Sequence, residues 1–245
     1  MKAMILAAGL GTRLRPLTNT IPKPLLPVGG TPLIVWNLLL LRHHGIRDVI
    51  INLHHLGELI EKELGDGSTV GMRISYSHEP TILGTGGGLK QAETFFEGES
   101  FLVLNGDTLC ELDVGALCRF HRHENPLATM VVRDDPDVDR WGALEVNAQQ
   151  RIVRINGRGR GDDGPVMKRM FAGVHIVHPR LLRTLPADRE SSIIDAYVRE
   201  IEQGEPVFGY PLHGYWSDVG TPQRYAEAQA DVKRGLLRLS DRLIQ

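Results

Sequence analysis

The stretch from Met4 to Pro24 limits most strongly what this chain can fold into. Its apolar start, Met4 to Ala8, predicts a buried strand. The next helix signal is Thr31-Pro32, an N-cap residue followed by proline at the first helical position. About twenty residues without periodicity lie between them, and long loops of this kind in compact domains are usually functional. The loop has two glycines, no acidic residue and three cations, which are Arg13, Arg15 and Lys23. It therefore suits an anion with several phosphate oxygens.

Strand-like and helical patterns alternate through the first half of the chain, which predicts βαβ units and a mostly parallel sheet. Strands are expected at Ala3–Ala7, Asp48–Leu53, Met72–Ser77, Phe101–Asn105 and Ala128–Arg133. Helices are expected at Leu33–His44, Leu56–Leu64, around Leu89–Phe96 after the glycine-rich stretch Thr81–Gly88, and at Val114–His123. Ligands of open α/β sheets bind at the carboxyl ends of strands, where both the cationic loop and Asp107 fall.

The second half predicts a hairpin, further strands and two helices. The hairpin strands are Trp141–Val146 and Arg151–Ile155, and a polar, flexible loop is expected at Gly157–Pro165. The other expected strands are Phe171–Val177, Pro206–Pro211 and Trp216–Asp218, and the helices are Ser192–Gln203 and one from Pro222 to about Arg234. We predict one α/β domain over residues 1–245 with a mixed, mostly parallel central sheet. Its parts are a first half at about 1–125, a second half at about 126–220 and a C-terminal helix at 221–236.

Composition excludes several classes of protein. Hydrophobic residues at 42% and charged residues at 24% match an ordinary soluble globular chain. The net charge of −2 provides no bulk attraction to nucleic acid or anionic lipid. Two cysteines, Cys110 and Cys118, are too few for a disulfide framework, and no apolar run approaches a membrane span. We therefore predict a cytoplasmic protein without nucleic-acid or membrane partners.

The glycine loop does not match the two best-known phosphate motifs. A dinucleotide fingerprint needs a third glycine where this chain has Leu14, which makes a dinucleotide-dependent oxidoreductase a poor alternative. A P-loop needs glycine, lysine and a hydroxyl residue in order, and Gly11-Thr12-Arg13 lacks that order. Taken alone, G-x-G-T-R supports only backbone N–H groups facing phosphate beside an arginine fork.

A longer stretch, LAAGLGTRLRPLTNTIPKPLLPVGGTPLI, resembles the N-terminal signature of the sugar-1-phosphate nucleotidyltransferases. Three more of that family's motifs follow in order, namely Leu83-Gly84-Thr85-Gly86-Gly87, Asn105-Gly106-Asp107 and Trp216-Ser217-Asp218-Val219-Gly220-Thr221. The resemblance covers nearly the whole chain. It implies a Rossmann-like three-layer α/β/α fold, with no room for the C-terminal β-helix domain of bifunctional relatives. The mannose-1-phosphate (and heptose-1-phosphate) guanylyltransferases and the N-acetylmuramate-1-phosphate uridylyltransferases look most similar.

The resemblance implies a reaction and the residues that perform it. The sugar phosphate attacks the α-phosphorus of a nucleoside triphosphate, giving a nucleotide sugar and pyrophosphate, so catalysis is mostly charge neutralisation and positioning. Asp107 and Asp218 match the family's magnesium ligands, in keeping with the preference of Mg²⁺ for oxygen. Arg13 matches the arginine on the departing pyrophosphate, and Lys23 the lysine near the reacting phosphorus. Arg15 could bind phosphate or face water.

The resemblance also implies binding residues for both substrates. It makes about 1–125 the nucleotide-binding half and about 126–220 the sugar-phosphate-binding half. Base recognition is expected largely from backbone around Ala7 to Gly9 and from Gly84 to Gly87, a segment whose missing side chains would let a flat base lie close. The residues expected for the nucleotide are Ala7, Ala8, Gly9, Gly11, Thr12, Gly84, Thr85, Gly86 and Gly87. Those expected for the sugar phosphate are Asn105, Gly142, Glu145 and Gly173. Two departures concern the sugar: Arg158 stands near the place of a family lysine, and Phe171 replaces the asparagine of an Asn-Ala-Gly motif. The base, the sugar and the choice between monomer and homo-oligomer remain open. A catalytically silent nucleotide-sugar-binding protein is the alternative function.

Overall fold

The computed structural model describes residues 1–161 and 164–237, and strands and helices alternate through its first half as predicted. These elements are β1 (Ala3–Leu6), β2 (Pro27–Val28), β3 (Thr31–Pro32), α1 (Leu33–His43), β4 (Asp48–Leu53), α2 (Gly57–Leu64), β5 (Arg73–His78), α3 (Gly84–Gln91), β6 (Phe101–Asn105), β7 (Thr108–Cys110) and α4 (Val114–Glu124). The later elements are β8 (Ala128–Arg133), α5 (Val138–Trp141), β9 (Ala143–Asn147), β10 (Ile152–Ile155), β11 (Arg158–Gly159), β12 (Val166–Val177), α6 (Ile193–Glu202), β13 (Val207–Pro211), β14 (Trp216–Asp218) and α7 (Pro222–Lys233).

The chain divides into two compact units that are interleaved in sequence. Unit 1 contains Met1–Ile82, Leu104–Val114 and the chain from Gly214 onward, and unit 2 contains Leu83–Val103 and Gly115–His213. The last elements of the chain therefore belong to the same unit as its first strand. The two halves expected from the sequence are, by contrast, continuous segments.

Parallel strands form the sheet of unit 1. β1 pairs with β4, and β4 with β5, both in parallel. Ala3, Met4 and Ile5 are fully buried, as is most of β4, which is typical of parallel strands covered on both faces. A separate antiparallel pair, β7 with β14, places Trp216 opposite Cys110 and Asp218 opposite Thr108. This pairing joins residues that are far apart in the sequence.

Helix α7 is fixed to the segment that leaves the cationic loop. The Tyr225 hydroxyl and the Gln229 amide each donate a hydrogen bond of 2.7 Å to the Pro27 carbonyl, and Gln229 accepts one of 2.7 Å from the Gly29 N–H. Apolar side chains of β2, α1, β7 and α7 and of the chain beside β14 and α7 form one buried core, namely Val28, Leu33, Trp36, Leu109, Val219, Ala228 and Leu237. Burial of apolar side chains at this interface stabilises the end of the loop.

Unit 2 is built around the long strand β12. β12 pairs antiparallel with β8 and β9, the order continues through β10 to β11, and β13 runs parallel to β8. The predicted hairpin of β9 and β10 is therefore confirmed. Phe96 and Phe101 stack within this unit with ring centroids 3.6 Å apart.

Three predictions about local structure are wrong. Thr31 does not cap α1, and Pro32 takes the N-cap position without a side-chain cap hydrogen bond. Both residues form β3, which pairs with β2 across Gly29-Gly30, and both glycines have the positive φ that a tight hairpin turn requires. The helix expected at Leu89–Phe96 begins earlier, at Gly84, because tertiary packing overrides the low helix propensity of glycine. Trp141 ends α5 rather than starting β9.

The predicted α/β class with a mixed sheet is confirmed, as is the cap-plus-proline start of α7 at Thr221. None of the described helices is long and apolar enough to cross a bilayer. Of the polar loop expected at Gly157–Pro165, Arg158 and Gly159 form β11, and residues 162–163 lie outside the described part of the chain.

Two buried histidines make unit 2 sensitive to acid. His175 Nδ1 lies 2.6 Å from the Tyr197 hydroxyl, and burial lowers the pKa of His175 to about 3. His121 Nδ1 lies 2.9 Å from the Thr129 hydroxyl, and burial, together with nearby His178, lowers the pKa of His121 to about 4. Since the unfolded chain binds these protons near pH 6.5, stability falls as the pH drops from 6.5 towards 3.

We expect His175→Gln to flatten this acid dependence. Each histidine that stays neutral in the folded state contributes a slope of about 1.4 kcal/mol per pH unit below 6.5, and the glutamine variant loses one such contribution. Urea unfolding at pH 7, 6, 5 and 4 measures the slope. His123→Gln is the matched control, because His123 is exposed and pairs with Glu124 at the surface. An unchanged slope in the His175 variant would contradict the prediction.

Candidate active site

The cationic loop is ordered by short 3-10 turns, at Thr12–Leu14, Leu17–Asn19 and Lys23–Leu25. Gly11 starts the first turn with φ of +62°, and its carbonyl accepts a 2.8 Å hydrogen bond from the Thr18 hydroxyl. A Cβ at Gly11 would lie 3.0 Å from Thr18 Cγ2 and 3.3 Å from Lys23 Cβ. Glycine is therefore required here by both conformation and space.

A buried polar relay holds the end of β1, where the loop begins. The Ala7 N–H donates to Asn52 Oδ1 at 2.8 Å, and Asn52 Nδ2 donates to Glu79 Oε1 at 2.7 Å. Asn52 and Glu79 are almost fully buried, at 3% and 2% exposure. The Ala7 N–H, part of the backbone segment expected to recognise the base, is thus already bonded within the protein. The sequence analysis missed this relay, although a polar Asn52 inside the apolar run of β4 was a signal for it.

We expect Asn52→Ala to destabilise the protein by about 2–3 kcal/mol, because it leaves the buried Ala7 N–H without its acceptor and removes a donor from Glu79. Urea unfolding measures the loss. Gln223→Ala is the control, since Gln223 makes only an exposed hydrogen bond to Glu227 and its loss should stay within about 0.5 kcal/mol. A loss that small for Asn52→Ala would contradict a structural role for the relay.

The two predicted metal aspartates are brought to the β7–β14 pair. Asp107 precedes β7, Asp218 ends β14, and the Val219 N–H donates to the Asp107 carbonyl at 2.9 Å. Gly106, just before Asp107, donates its N–H to the Leu6 carbonyl at 2.9 Å. A Cβ on Gly106 would lie 2.7 Å from that oxygen, so this close approach requires glycine. The Asn-Gly-Asp motif is therefore packed against the end of β1.

Lys23 and Asp107 form a direct ion pair. Lys23 Nζ lies 2.5 Å from Asp107 Oδ2, and the lysine side chain is only 12% exposed. Proline on both sides of Lys23 restricts the backbone and so reduces the freedom lost in making this contact. Two residues that the sequence assigned to separate roles thus bind each other in this structure.

The two oxygens of Asp218 differ in their surroundings. Oδ2 lies 3.0 Å from Arg224 Nη1, an ion pair by distance that lacks hydrogen-bond geometry. Oδ1 is buried and has no hydrogen-bond partner among the described residues. Burial first, and then the nearby Asp107 charge, raise the pKa of Asp218 above its usual range, against the opposing cations Lys23, Arg224 and Arg13. Asp218 Oδ1 is therefore a buried acceptor without a donor, and a bound cation would satisfy it.

Arg13 and Asp218 both have side-chain atoms next to Gly220. A Cβ on Gly220 would lie 2.4 Å from Asp218 Oδ1 and 3.2 Å from Arg13 Nη2, so the guanidinium and the carboxylate flank one glycine. Of the other nucleotide residues predicted in unit 1, Ala8 is buried, Thr12 is exposed, and Gly9 has nothing within 4 Å of where its Cβ would stand. Asn105 is half-buried at the end of β6, and Arg15 is exposed.

The glycines of the second motif pack against their own unit. The Gly86 N–H donates to the Ser191 carbonyl at 2.8 Å, and a Cβ at Gly84 or Gly87 would lie 2.6–2.7 Å from the carbonyl of Ser191 or Arg189. The Thr85 hydroxyl accepts from the Ile193 N–H at 3.0 Å, at the start of α6. The structure thus supplies a packing reason for these glycines, and their contact with a base stays a prediction.

Apart from Asn105, which ends β6, the residues predicted to bind the sugar phosphate lie on β9 and β12 or beside them. Gly142 has φ of +89° and faces the Asn156 side chain, and Gly173 has φ of +77° within β12. Glu145 forms a 2.8 Å ion pair with Arg154. Arg158, considered as a substitute for the family lysine, pairs with Asp195 at the surface, 2.8 Å away.

The described part of the chain offers few other groups for metal binding or nucleophilic catalysis. Within residues 1–161 and 164–237, no three His, Cys, Asp or Glu side chains cluster as a metal site would need. Burial raises the pKa of the Cys110 thiol to about 12, so this thiol stays protonated and is a poor nucleophile. A cation bound at Asp107 and Asp218 would therefore need further oxygens from a bound substrate.

The fold and this cluster of two aspartates, a lysine and an arginine agree with a sequence match to a family. Residues 2–235 match the Nucleotidyl transferase family model, and the chain belongs to that family. The chain is 39% identical over 234 residues to an N-acetylmuramate alpha-1-phosphate uridylyltransferase from Neisseria meningitidis, covering 94% of this chain and 97% of the relative.

Two longer relatives match over a part of their length. The chain is 33% identical to a UTP–glucose-1-phosphate uridylyltransferase of Synechocystis and 31% identical to a mannose-1-phosphate guanylyltransferase of Mycobacterium tuberculosis. It spans 62% and 65% of the length of these proteins, and 93% and 96% of its own length is matched. Among solved structures, HddC of Yersinia pseudotuberculosis complexed with GMP-PN has a TM-score of 0.78 at 25% identity, covering 94% of this chain and 99% of that one.

Proposed function

We propose that the protein is a magnesium-dependent sugar-1-phosphate nucleotidyltransferase. It would transfer a nucleoside monophosphate from a nucleoside triphosphate to a sugar 1-phosphate and release pyrophosphate. The observation that carries the proposal is the pairing of β7 with β14, which brings Asp107 and Asp218 together beside Lys23 and Arg13. The meeting of two polyanions requires positive charge, which the two cations would supply directly and the two carboxylates would supply by holding a metal ion.

The donor set fits magnesium. Asp218 Oδ1 is a buried carboxylate oxygen with no hydrogen-bond partner among the described residues, and Asp107 stands on the neighbouring strand end. Magnesium prefers oxygen ligands and typically takes one or two carboxylates together with phosphate oxygens. When bound, it would neutralise phosphate charge. Asp107 and Asp218 would hold it.

The chain's own cations would position the phosphates. Arg13 is exposed and always charged, and its planar fork suits the oxygens of the departing pyrophosphate. Lys23 would exchange the Asp107 carboxylate for a phosphate oxygen near the reacting phosphorus, because its ammonium binds either oxyanion. We attribute most of the rate to this positioning and charge neutralisation.

The relatives suggest an order in which to test substrates. The relative matched over nearly its whole length is named for N-acetylmuramate α-1-phosphate and uridylyl transfer, so UTP with that sugar phosphate is our first pair. GTP with mannose or heptose 1-phosphate is the second, supported by the Mycobacterium relative and the GMP-PN complex. Either product would supply cell-envelope polysaccharide synthesis, and we expect the enzyme to act in the cytoplasm.

A grid of the four common triphosphates and thymidine triphosphate against these sugar phosphates tests the proposal through pyrophosphate release. We expect release with one pair, dependent on added magnesium and lost on chelation. Tight nucleotide binding without release in any combination would instead favour the silent binding protein. Magnesium-independent release would overturn the metal assignment alone.

A further inference from the structure

Arg224 occupies an unusual place for a cation. It is the third residue of α7, and its N–H donates at 3.3 Å to the hydroxyl of the capping residue Thr221. The N-terminal end of a helix carries partial positive charge, so a cation in the first turn is disfavoured by the helix itself. Helix formation therefore does not account for arginine at this position.

The contact that Arg224 makes is with a proposed metal ligand. Its Nη1 lies 3.0 Å from Asp218 Oδ2, and the two side chains are 18% and 17% exposed. Ion pairs at this depth are screened by salt less than surface pairs, so the attraction between the two charges acts at close range even without a hydrogen bond. The Thr221 cap fixes the arginine backbone, and the β7–β14 pairing fixes the aspartate backbone.

We propose that Arg224 is a positioning residue that holds Asp218 by Oδ2 and leaves Oδ1 as the oxygen that binds the cation. The inference rests on the proposed function, because it assigns the task of Asp218 within that site. Gly220 complements the arginine, since the space that its Cβ would fill is next to Oδ1. Partners that orient metal ligands in this way commonly change metal affinity by 10–100-fold when they are removed.

Two roles are possible for Arg224, as a nearby positive charge or as a residue that orients Asp218, and they predict opposite changes in cation affinity when Arg224 is removed. If Arg224 acted only as a nearby positive charge, its removal would strengthen cation binding by relieving repulsion. If it positions Asp218, its removal lets the buried carboxylate turn away and weakens cation binding. The lysine variant keeps the charge but loses the planar fork.

The experiment titrates Mn²⁺, in the presence of UTP and without sugar phosphate, into wild type, Arg224→Gln, Arg224→Lys and Arg234→Gln. Electron paramagnetic resonance of unbound Mn²⁺, compared with a titration of the same UTP without protein, reports binding to the protein without turnover. Arg234→Gln is the matched control, because it removes an exposed Arg–Asp pair at the other end of α7. We expect the Mn²⁺ dissociation constant to rise at least about tenfold for Gln, less for Lys, and not at all for the control.

Equal or tighter Mn²⁺ binding by Arg224→Gln would overturn the proposal, as would wild type that binds no Mn²⁺. Circular dichroism and melting temperatures identify a variant that fails to fold, in which case Arg224→Lys decides, with unchanged affinity counting against the proposal. Wild type that binds Mn²⁺ but releases no pyrophosphate with any substrate pair would refute the proposed function and leave the positioning result standing.

Discussion

Asp107→Asn is expected to lower turnover by about 10³-fold or more while the protein stays folded. The substitution removes the charge with which Asp107 would hold magnesium, and a bound metal stabilises the transition state by several kcal/mol, each 1.4 kcal/mol being tenfold in rate. The amide oxygen still accepts a hydrogen bond from Lys23, so we expect a stability loss of only about 1–2 kcal/mol. Pyrophosphate release and urea unfolding measure the two effects.

Asp48→Asn is the matched control for this variant. Asp48 also forms an ion pair with a cation of unit 1, Arg73, but that pair is exposed and lies at the start of β4. We expect it to change stability by less than about 1 kcal/mol and turnover not at all. Retained turnover with a large stability loss in Asp107→Asn would mean that Asp107 is a structural residue.

Gly220→Ala is the second large effect, an expected fall in kcat/KM of about 10²-fold with the fold intact. The backbone of Gly220 lies outside the left-handed region, so alanine is not strained there. Its methyl group would lie 2.4 Å from Asp218 Oδ1 and 3.2 Å from Arg13 Nη2, so one of these groups must move. Displacements of about 1 Å at a reacting centre commonly cost this much rate.

The control for Gly220→Ala separates stability from activity. Gly45 has φ of +76° and open space around its missing side chain, so Gly45→Ala strains the backbone without touching the cluster. We expect it to lose about 1 kcal/mol of stability and no activity. Full activity in Gly220→Ala would show that the positions of Asp218 and Arg13 do not govern the reaction.

Much of the fold was predictable from local pattern. β4 and β6 match the predicted strands residue for residue, because continuous apolar runs mark buried strands. The Thr221-Pro222 signal also identified the start of α7, since a hydroxyl cap and proline act within one turn. The same signal failed at Thr31-Pro32, where pairing of β3 with β2 takes both residues.

The roles of partner residues were less predictable. Asn52 bonds Ala7, 45 positions away, and Glu79 bonds Asn52, 27 positions away. Arg224 pairs with Asp218, six positions away and in a different element. No local motif marks these contacts. The glycines at Gly84–Gly87 had a recognisable pattern, but the segment that they pack against lies about a hundred residues later. Side-chain partners at such separations follow from topology, which periodicity does not encode.

The sequence by itself determined the class of fold and the family resemblance, and it predicted Arg13, Lys23, Asp107 and Asp218 as site residues, because these inferences depend on residue type, order and short spacing. The tertiary structure alone decided that Lys23 binds Asp107, that Arg224 Nη1 lies 3.0 Å from one oxygen of Asp218, and that Gly220 lies next to both Asp218 and Arg13. The pairing of β7 with β14 and the docking of α7 bring Asp107 and Asp218 together with residues of the N-terminal loop, and such pairings between distant segments are not encoded in local spacing.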